Sequence, residues 1–195
     1  LNESLQGNLW VLNGDAGQLL PQFAKDHGAS HVFWNRCYEP SRIARDSLLK
    51  QTLKEAEITP GSHNGSLIWE PWENLKKDGT PYKVFTPFYK YAISNNPPAP
   101  PSHISIQNLD SVECSQDANK IERLGLLPKI NWYEEIAATW QPGEAGARQK
   151  LEHFIENGLY DYRKGRDFPS KRNVSMLSPT LQSGEISPSE DTQAT

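Results

Sequence analysis

The sequence predicts an α/β protein in which a parallel-sheet domain is followed by an all-helical segment. Between residues 9 and 68, short apolar runs alternate with helically spaced ones in a strand–helix–strand–helix–strand order. A proline cluster, Asn-Asn-Pro-Pro-Ala-Pro-Pro-Ser at residues 95–102, then breaks the pattern, and beyond Pro142 only helical spacing returns. Alternation of this kind places strands in parallel with helical crossovers, whereas prolines fix an extended connection.

Leu9 to Leu12, carrying Trp10 and Val11, reads as the first strand, and Asn13-Gly14-Asp15 as the turn after it. Leu19, Leu20, Phe23 and Ala24 recur at helical spacing until Gly28 stops them. His31-Val32-Phe33-Trp34 predicts a second strand. After Pro40 and Ser41, the residues Ala44, Leu48, Leu49, Leu53 and Ala56 predict a second helix, and Ile58 opens a third extended segment reaching Ile68. In such a sheet the residues after each strand line a ligand crevice, which places Asn13–Asp15 and Asn35–Glu39 there. Asp15 has a second reading as a helix N-cap. Past the connector, Glu144, Ala147, Leu151, Phe154, Ile155 and Leu159 predict an amphipathic helix entered through Pro142-Gly143. The resulting organisation is an α/β domain at 1–93, a linker at 94–128 and a helical segment at 129–195.

Composition narrows the function classes. With 36% hydrophobic residues the 195-residue chain can build a core, and a mean hydropathy of -0.70 argues against a membrane protein. The N-terminal stretch lacks the basic start and apolar run of a secretory signal, so the expected compartment is cytoplasmic. Cys37 and Cys114 are too few and too far apart for a disulfide framework or a zinc site, and the five histidines, among them His63, His103 and His153, share no metal-ligand spacing. No Gly-x-Gly-x-x-Gly, Walker loop or nucleophile elbow is present. The 24 acidic residues outnumber the 20 basic ones, so any nucleic-acid contact must be local. Residues 162–179 supply such a place: Arg163, Lys164, Arg166, Lys171 and Arg172 stand against a single acid, Asp167, ahead of a run bearing hydroxyl groups.

Six stretches occur in one order: WNRCYEPSRIARD (34–46), WEPWENLKKDGTPYKVFTPFYKY (69–91), LLPKINW (126–132), WQPGEAGA (140–147), YRKGRDFP (162–169) and SMLSPTLQSGEISP (175–188). Together they resemble the DNA photolyase and cryptochrome family, in the form found in bacterial cyclobutane pyrimidine dimer photolyases. The resemblance implies a Rossmann-like antenna domain without its first strand and helix, then the start of an all-helical FAD-binding domain. It also implies a carbon–carbon lyase that splits UV-induced pyrimidine dimers by light-driven electron transfer from reduced FAD, with UV-damaged DNA as partner and a monomer when full length. A blue-light photoreceptor without repair activity, or an inactive gene remnant, is the alternative. The antenna chromophore would be methenyltetrahydrofolate or 8-hydroxy-deazaflavin. No antenna residue is assigned, because Ser41 and Arg42 stand where folate-type members carry an Asn-Glu pair.

Residue by residue, the resemblance places Tyr162 against the flavin and Val174, Ser175, Met176, Leu177 and Ser178 around its phosphates, with Arg166 on DNA. The chemistry agrees: a pyrophosphate can only accept hydrogen bonds, and hydroxyls, free amides and nearby cations supply donors. Asn173-Val174-Ser175 replaces the family's Gly-Thr-Ser, so a methyl stands at Val174 in place of a hydroxyl. Arg166 has a plainer reading as an exposed pair with Asp167. Trp69, Trp72, Tyr82, Phe85, Phe88, Tyr89 and Tyr91 are expected to serve packing. Phe154, Ile155, Leu159, Leu177 and Leu181 are expected to expose apolar surface.

With one wall of a flavin pocket, the chain by itself is expected to be catalytically inactive and not to hold FAD tightly. A few water-competed hydrogen bonds of about 0.5–1.5 kcal/mol each fall short of an association cost of roughly 4–15 kcal/mol. Purified alone, it should emerge from gel filtration without flavin absorbance; a stoichiometric yellow protein would overturn this expectation.

Overall fold

The computed structural model describes residues 2, 5–98 and 121–190, with only the backbone at positions 122 and 123. Cys114, His103 and most of the predicted linker lie outside the described residues. The described residues fall into two compact units: those of Leu1–His63 and Ile104–Glu135 form one, and those of Asn64–His103 and Ile136–Thr195 the other.

The first unit is α/β. Helix α1 (Ala16–Asp26) precedes strand β1 (His31–Asn35), helix α2 (Pro40–Glu55) and strand β2 (Thr59–His63). The strands pair in parallel, His31 opposite Thr59 and Asn35 opposite His63. Asp15 caps α1, its Oδ1 accepting from the Gln18 amide at 3.2 Å. Pro40 opens α2, where a missing amide costs nothing. Ala24 from α1, Leu49 and Leu53 from α2, and Ile58 form the core, with Val32 and Trp34 of β1 packed against them. Leu48, one residue from Leu49 and so about 100° around the helix, is exposed.

A polar strut fixes α2 to β1. Asp46 is buried, yet its Oδ2 accepts from Trp34 Nε1 at 3.1 Å and its Oδ1 from Arg45 Nε and Nη2 at 2.8 and 2.7 Å. A buried carboxylate is tolerated only when its lone pairs are engaged in this way. Arg36 Nη2 donates to the Ser62 carbonyl at 2.7 Å and Lys50 Nζ to Ser62 Oγ at 2.6 Å, tying the end of β1 and the body of α2 to β2.

Two sequence expectations are corrected. Residues 9–12 do not form a strand, because no neighbouring strand is paired with them among the described residues. Trp10 instead packs edge-on against Phe23 and His27, with centroids 5.0 and 5.1 Å apart. The extended segment expected from Ile58 to Ile68 is a strand only over Thr59–His63. Asn64 ends it by an Asx turn, its Oδ1 accepting from the Ser66 and Leu67 amides at 3.2 and 2.9 Å.

The second unit is helical: α3 (Phe85–Asn95), α4 (Glu134–Thr139), α5 (Glu144–Asn157), α6 (Tyr162–Gly165) and α7 (Ser178–Gln182). Glu134 and Glu135 of α4 fall by position in the first unit. Residues 64–98 thus share a unit with the helical segment, where Trp69 meets Phe88 at 5.6 Å and Phe85 stacks on Tyr89 at 5.5 Å. Ala147, Leu151, Leu177 and Ile186 form the core of this unit, with Ile155 and Leu181 partly buried against it. The apolar surface expected at Phe154, Leu177 and their neighbours is therefore mostly covered by the unit's own residues. Large exposed hydrophobics lie elsewhere, at Phe85 and Trp72 in this unit and at Leu126, Ile130 and Trp132 in the first.

Leu53 is 0% exposed at the centre of the first core. Leu53→Ala should destabilise that unit by about 2–5 kcal/mol, read as a lowered denaturation midpoint, whereas the same change at exposed Leu48 should be nearly silent.

Candidate functional site

The predicted site residues all lie in the second unit, and α5 sets their positions. Its start is sharply defined. Gly143 adopts φ +101, which L side chains avoid, and its amide donates to Glu185 Oε1 at 2.8 Å across 42 residues of sequence. A Cβ on Gly146 would strike the Gln141 carbonyl oxygen, so this helix turn requires glycine. Lys150 lies over the Trp140 ring, 2.9 Å from its centroid. Burial there pushes its ammonium below the usual lysine range, and Glu185 pulls the other way.

The far end of α5 presents the first predicted contact. After Gly158, a 3₁₀ turn (Leu159–Asp161) leads into α6, which Tyr162 opens. The Tyr162 ring stands edge-on to Phe154 of α5 at 5.9 Å and remains partly exposed. Arg166 follows α6 as its C-cap, with its guanidinium 5.5 Å from the Tyr162 ring centre and its Nε 3.7 Å from the exposed carboxylate of Asp167. The plain ion-pair reading of Arg166 is thus realised, but at a length and exposure that leave it weak.

Residues 174–178 are anchored by Leu177, buried at 1% exposure in one core with Ala147 and Leu151 of α5, and Asn173 just ahead of them reaches the far end of that helix at Gly158. Its side chain faces packing and not a ligand; only its backbone is left for one. Val174 and Met176 are exposed, Ser175 is half-buried, and exposed Ser178 begins α7 with Pro179 at its first turn. Met176 takes φ +52, a left-handed conformation that costs a non-glycine residue about 1–2 kcal/mol. Leu177 and Thr180 hold it there, since Thr180 is fully buried and its Oγ1 donates to the Leu177 carbonyl at 2.8 Å. Among the described residues the hydroxyls of Ser175 and Ser178 have no hydrogen-bond partner, so both are available as donors.

Asn173 is the residue whose role sequence reasoning missed. It stood out only as a departure from the family pattern, yet its Nδ2 donates to the Gly158 carbonyl at 3.1 Å. Its side chain also lies directly on Gly165, where a Cβ would collide with Oδ1. This latch joins the Tyr162 helix to the serine loop. The one visible signal was the coincidence of a glycine at 165 with an amide side chain in place of glycine at 173.

The crevice expected in the first unit is largely spent on internal contacts. Asp15 caps α1, Arg36 bonds Ser62, and Arg42 reaches Cys37 Sγ at 3.6 Å and Glu39 at 3.8 Å. Among the described residues no cluster of three or more histidine, cysteine, aspartate or glutamate side chains could hold a metal, and no helix is long and apolar enough to cross a membrane.

An α/β unit with a short parallel sheet and a helical unit carrying a serine loop beside a basic, aromatic helix end define a two-part α/β–helical protein. The family model for DNA photolyase matches residues 1–103, and the chain belongs to that family. It is 38% identical to the deoxyribodipyrimidine photo-lyase of Agrobacterium fabrum over 194 residues, which is 99% of this chain and 40% of that protein. Cryptochrome-2 of Arabidopsis thaliana is 33% identical over 82% of this chain and 27% of its own length. The crystal structure of a class III photolyase from Agrobacterium tumefaciens superposes with a TM-score of 0.84 at 38% identity, covering 93% of this chain and 38% of that one. The chain thus spans about two fifths of the length of these photolyase relatives.

The latch makes a testable pair. Gly165→Ala should destabilise the second unit by about 1–3 kcal/mol through overpacking on Asn173. Asn173→Ala should cost about 0.5–1.5 kcal/mol for the lost hydrogen bond. Combined, the two changes should cost less than their sum, because the second removes Oδ1 and Cγ, the two nearest of the atoms that the first meets, and leaves only the Asn173 Cβ; strict additivity in urea denaturation would show that the contact is absent.

Proposed function

We propose that this chain belongs to a light-driven DNA repair lyase that splits pyrimidine dimers, and that it supplies part of the flavin site and part of the DNA-facing rim. The observation that carries the reading is the 38% identity, over nearly the whole chain, to a deoxyribodipyrimidine photo-lyase. The site chemistry supports it. FAD presents a pyrophosphate that only accepts hydrogen bonds, and residues 174–178 offer the unpartnered hydroxyls of Ser175 and Ser178 on a loop turned by Met176. Tyr162 offers a partly exposed aromatic face on the helix that Asn173 latches to this loop. The donor set fits the group, with Val174 contributing a methyl where a third hydroxyl would serve.

When bound and reduced, FAD would supply the photoexcited electron that opens the dimer. The share of this chain is to bind and orient: the serines hold phosphate, Tyr162 packs on the cofactor, and Arg166 neutralises a DNA phosphate at the rim. Arg163, Lys164, Lys171 and Arg172 add local positive charge to an otherwise acidic chain. Phosphate contacts of this kind give affinity without reading sequence. A second reading, a blue-light photoreceptor that keeps the flavin but does not repair, is favoured by the 33% identity to cryptochrome-2.

The deciding experiment uses the protein encoded by the whole gene that carries this chain, loaded with FAD and given a thymine-dimer oligonucleotide under blue light. Loss of the dimers supports repair; flavin photoreduction with the dimers intact favours the photoreceptor. In the same protein, Arg166→Ala should weaken duplex binding and reduce the salt dependence of log K by about 0.9, the share of one phosphate contact. An unchanged salt slope would remove Arg166 from the rim.

A further inference from the structure

Asn-Gly sequences occur three times in the chain, at Asn13-Gly14, Asn64-Gly65 and Asn157-Gly158. They are the most reactive dipeptides toward intramolecular deamidation, because glycine leaves the following amide nitrogen unhindered. The fold treats the three very differently.

Asn64 is held on both sides of its amide. Its Oδ1 accepts from the Ser66 and Leu67 amides at 3.2 and 2.9 Å, and its Nδ2 donates to the Leu67 carbonyl at 2.7 Å. Asn157 is held by helix α5, its Nδ2 donating to the His153 carbonyl at 3.0 Å. The nitrogen that would attack it belongs to buried Gly158 and is engaged with the Phe154 carbonyl at 2.8 Å. Asn13 has neither restraint. Both Asn13 and Gly14 are exposed, and among the described residues neither the Asn13 amide nor the Gly14 N–H has a hydrogen-bond partner. Gly14 also takes φ +150, in the region that L side chains avoid, so the position keeps its glycine and with it the unhindered nucleophile.

We propose that Asn13 is a site of spontaneous covalent modification, deamidating through a succinimide while Asn64 and Asn157 are protected by the fold. The deprotonated Gly14 nitrogen attacks Asn13 Cγ, a Cγ–N bond forms, and the Cγ–Nδ2 bond breaks with loss of ammonia, which carries the proton away. Solvent water then opens the five-membered imide at either carbonyl. One opening gives aspartate; the other gives isoaspartate, whose main chain runs through the side-chain carboxyl and is longer by one carbon. No electron changes hands.

Position 13 lies just ahead of the α1 N-cap. Asp15 Oδ1 accepts from Gln18 N at 3.2 Å, and the Asp15 carbonyl accepts from Gln18 and Leu19 at 3.1 and 2.9 Å. The Leu19 side chain occupies the space that a Cβ on Gly14 would need. Conversion therefore adds a carboxylate at the positive end of α1, and in its isoaspartate form it also lengthens the backbone at the point where the turn enters the helix.

The test ages the purified chain in mildly alkaline buffer at physiological temperature, digests it, and follows the amide-to-acid mass change in the peptides holding each Asn-Gly pair. Isoaspartate is quantified by enzymatic methylation. A parallel sample is aged in strong denaturant. In the folded chain Asn13 should convert at least about tenfold faster than Asn64 and Asn157, the effect of a barrier difference of about 1.4 kcal/mol. In denaturant the three rates should converge. Asn13→Gln should remove the fast phase and leave the other two peptides unchanged. Equal rates in the folded chain, faster conversion at Asn64 or Asn157, or the same selectivity in denaturant would each overturn the proposal.

Discussion

The hydrogen bond from the Gly143 amide to Glu185 is the constraint on which the helical unit depends. It joins the start of α5 to the segment after α7 and satisfies an orphan amide of α5 with a charged acceptor at the positive end of the helix. With that end fixed, Ala147 and Leu151 meet Leu177 and Ile186 in one core. The serine loop is then held through Leu177, and Tyr162 through Phe154. The two glycines nearby serve separate needs: Gly143 supplies a left-handed entry, and Gly146 lets the helix pass the Gln141 carbonyl.

The α/β unit is organised around the Asp46 carboxylate. Its bond from Trp34 ties α2 to β1, and its bonds from Arg45, on α2 itself, occupy the other carboxylate oxygen, while Leu49 and Leu53 pack the core around it. In both units an acid reaches a partner distant in sequence and an apolar cluster fills the space around it. The difference lies in what remains exposed. In the first unit the strand-end residues bond to one another, whereas in the second the hydroxyls of Ser175 and Ser178 stay without a partner among the described residues and Tyr162 stays exposed.

Much of this was legible from residues alone where the signal was local. The N-cap at Asp15, the proline entry to α2 and the helical spacing from Glu144 follow from short-range chemistry, and the strand at His31 was legible because a second extended run, from Ile58, stood ready to pair with it. The first strand failed for the opposite reason. Trp10 and Val11 have strand character, but a strand exists only when another strand pairs with it, and here Trp10 found Phe23 and His27 instead. The exposed apolar surface foreseen near Leu177 failed likewise, because the spacing of Leu151, Leu177 and Ile186 along the chain does not reveal that they meet.

By itself the sequence determined the family, the alternation of elements and the chemical types at the candidate site: hydroxyls in 174–178, an aromatic at 162 and a cation at 166. Each of these is a property of side-chain identity and order. Only the tertiary structure decided that Leu177 turns inward while its neighbours stay out, that Asn173 latches onto Gly165 and Gly158, and that of three chemically identical Asn-Gly pairs one is left unguarded. Those outcomes depend on which distant groups arrive to fill a hydrogen bond or a cavity, and that is settled when the chain closes on itself.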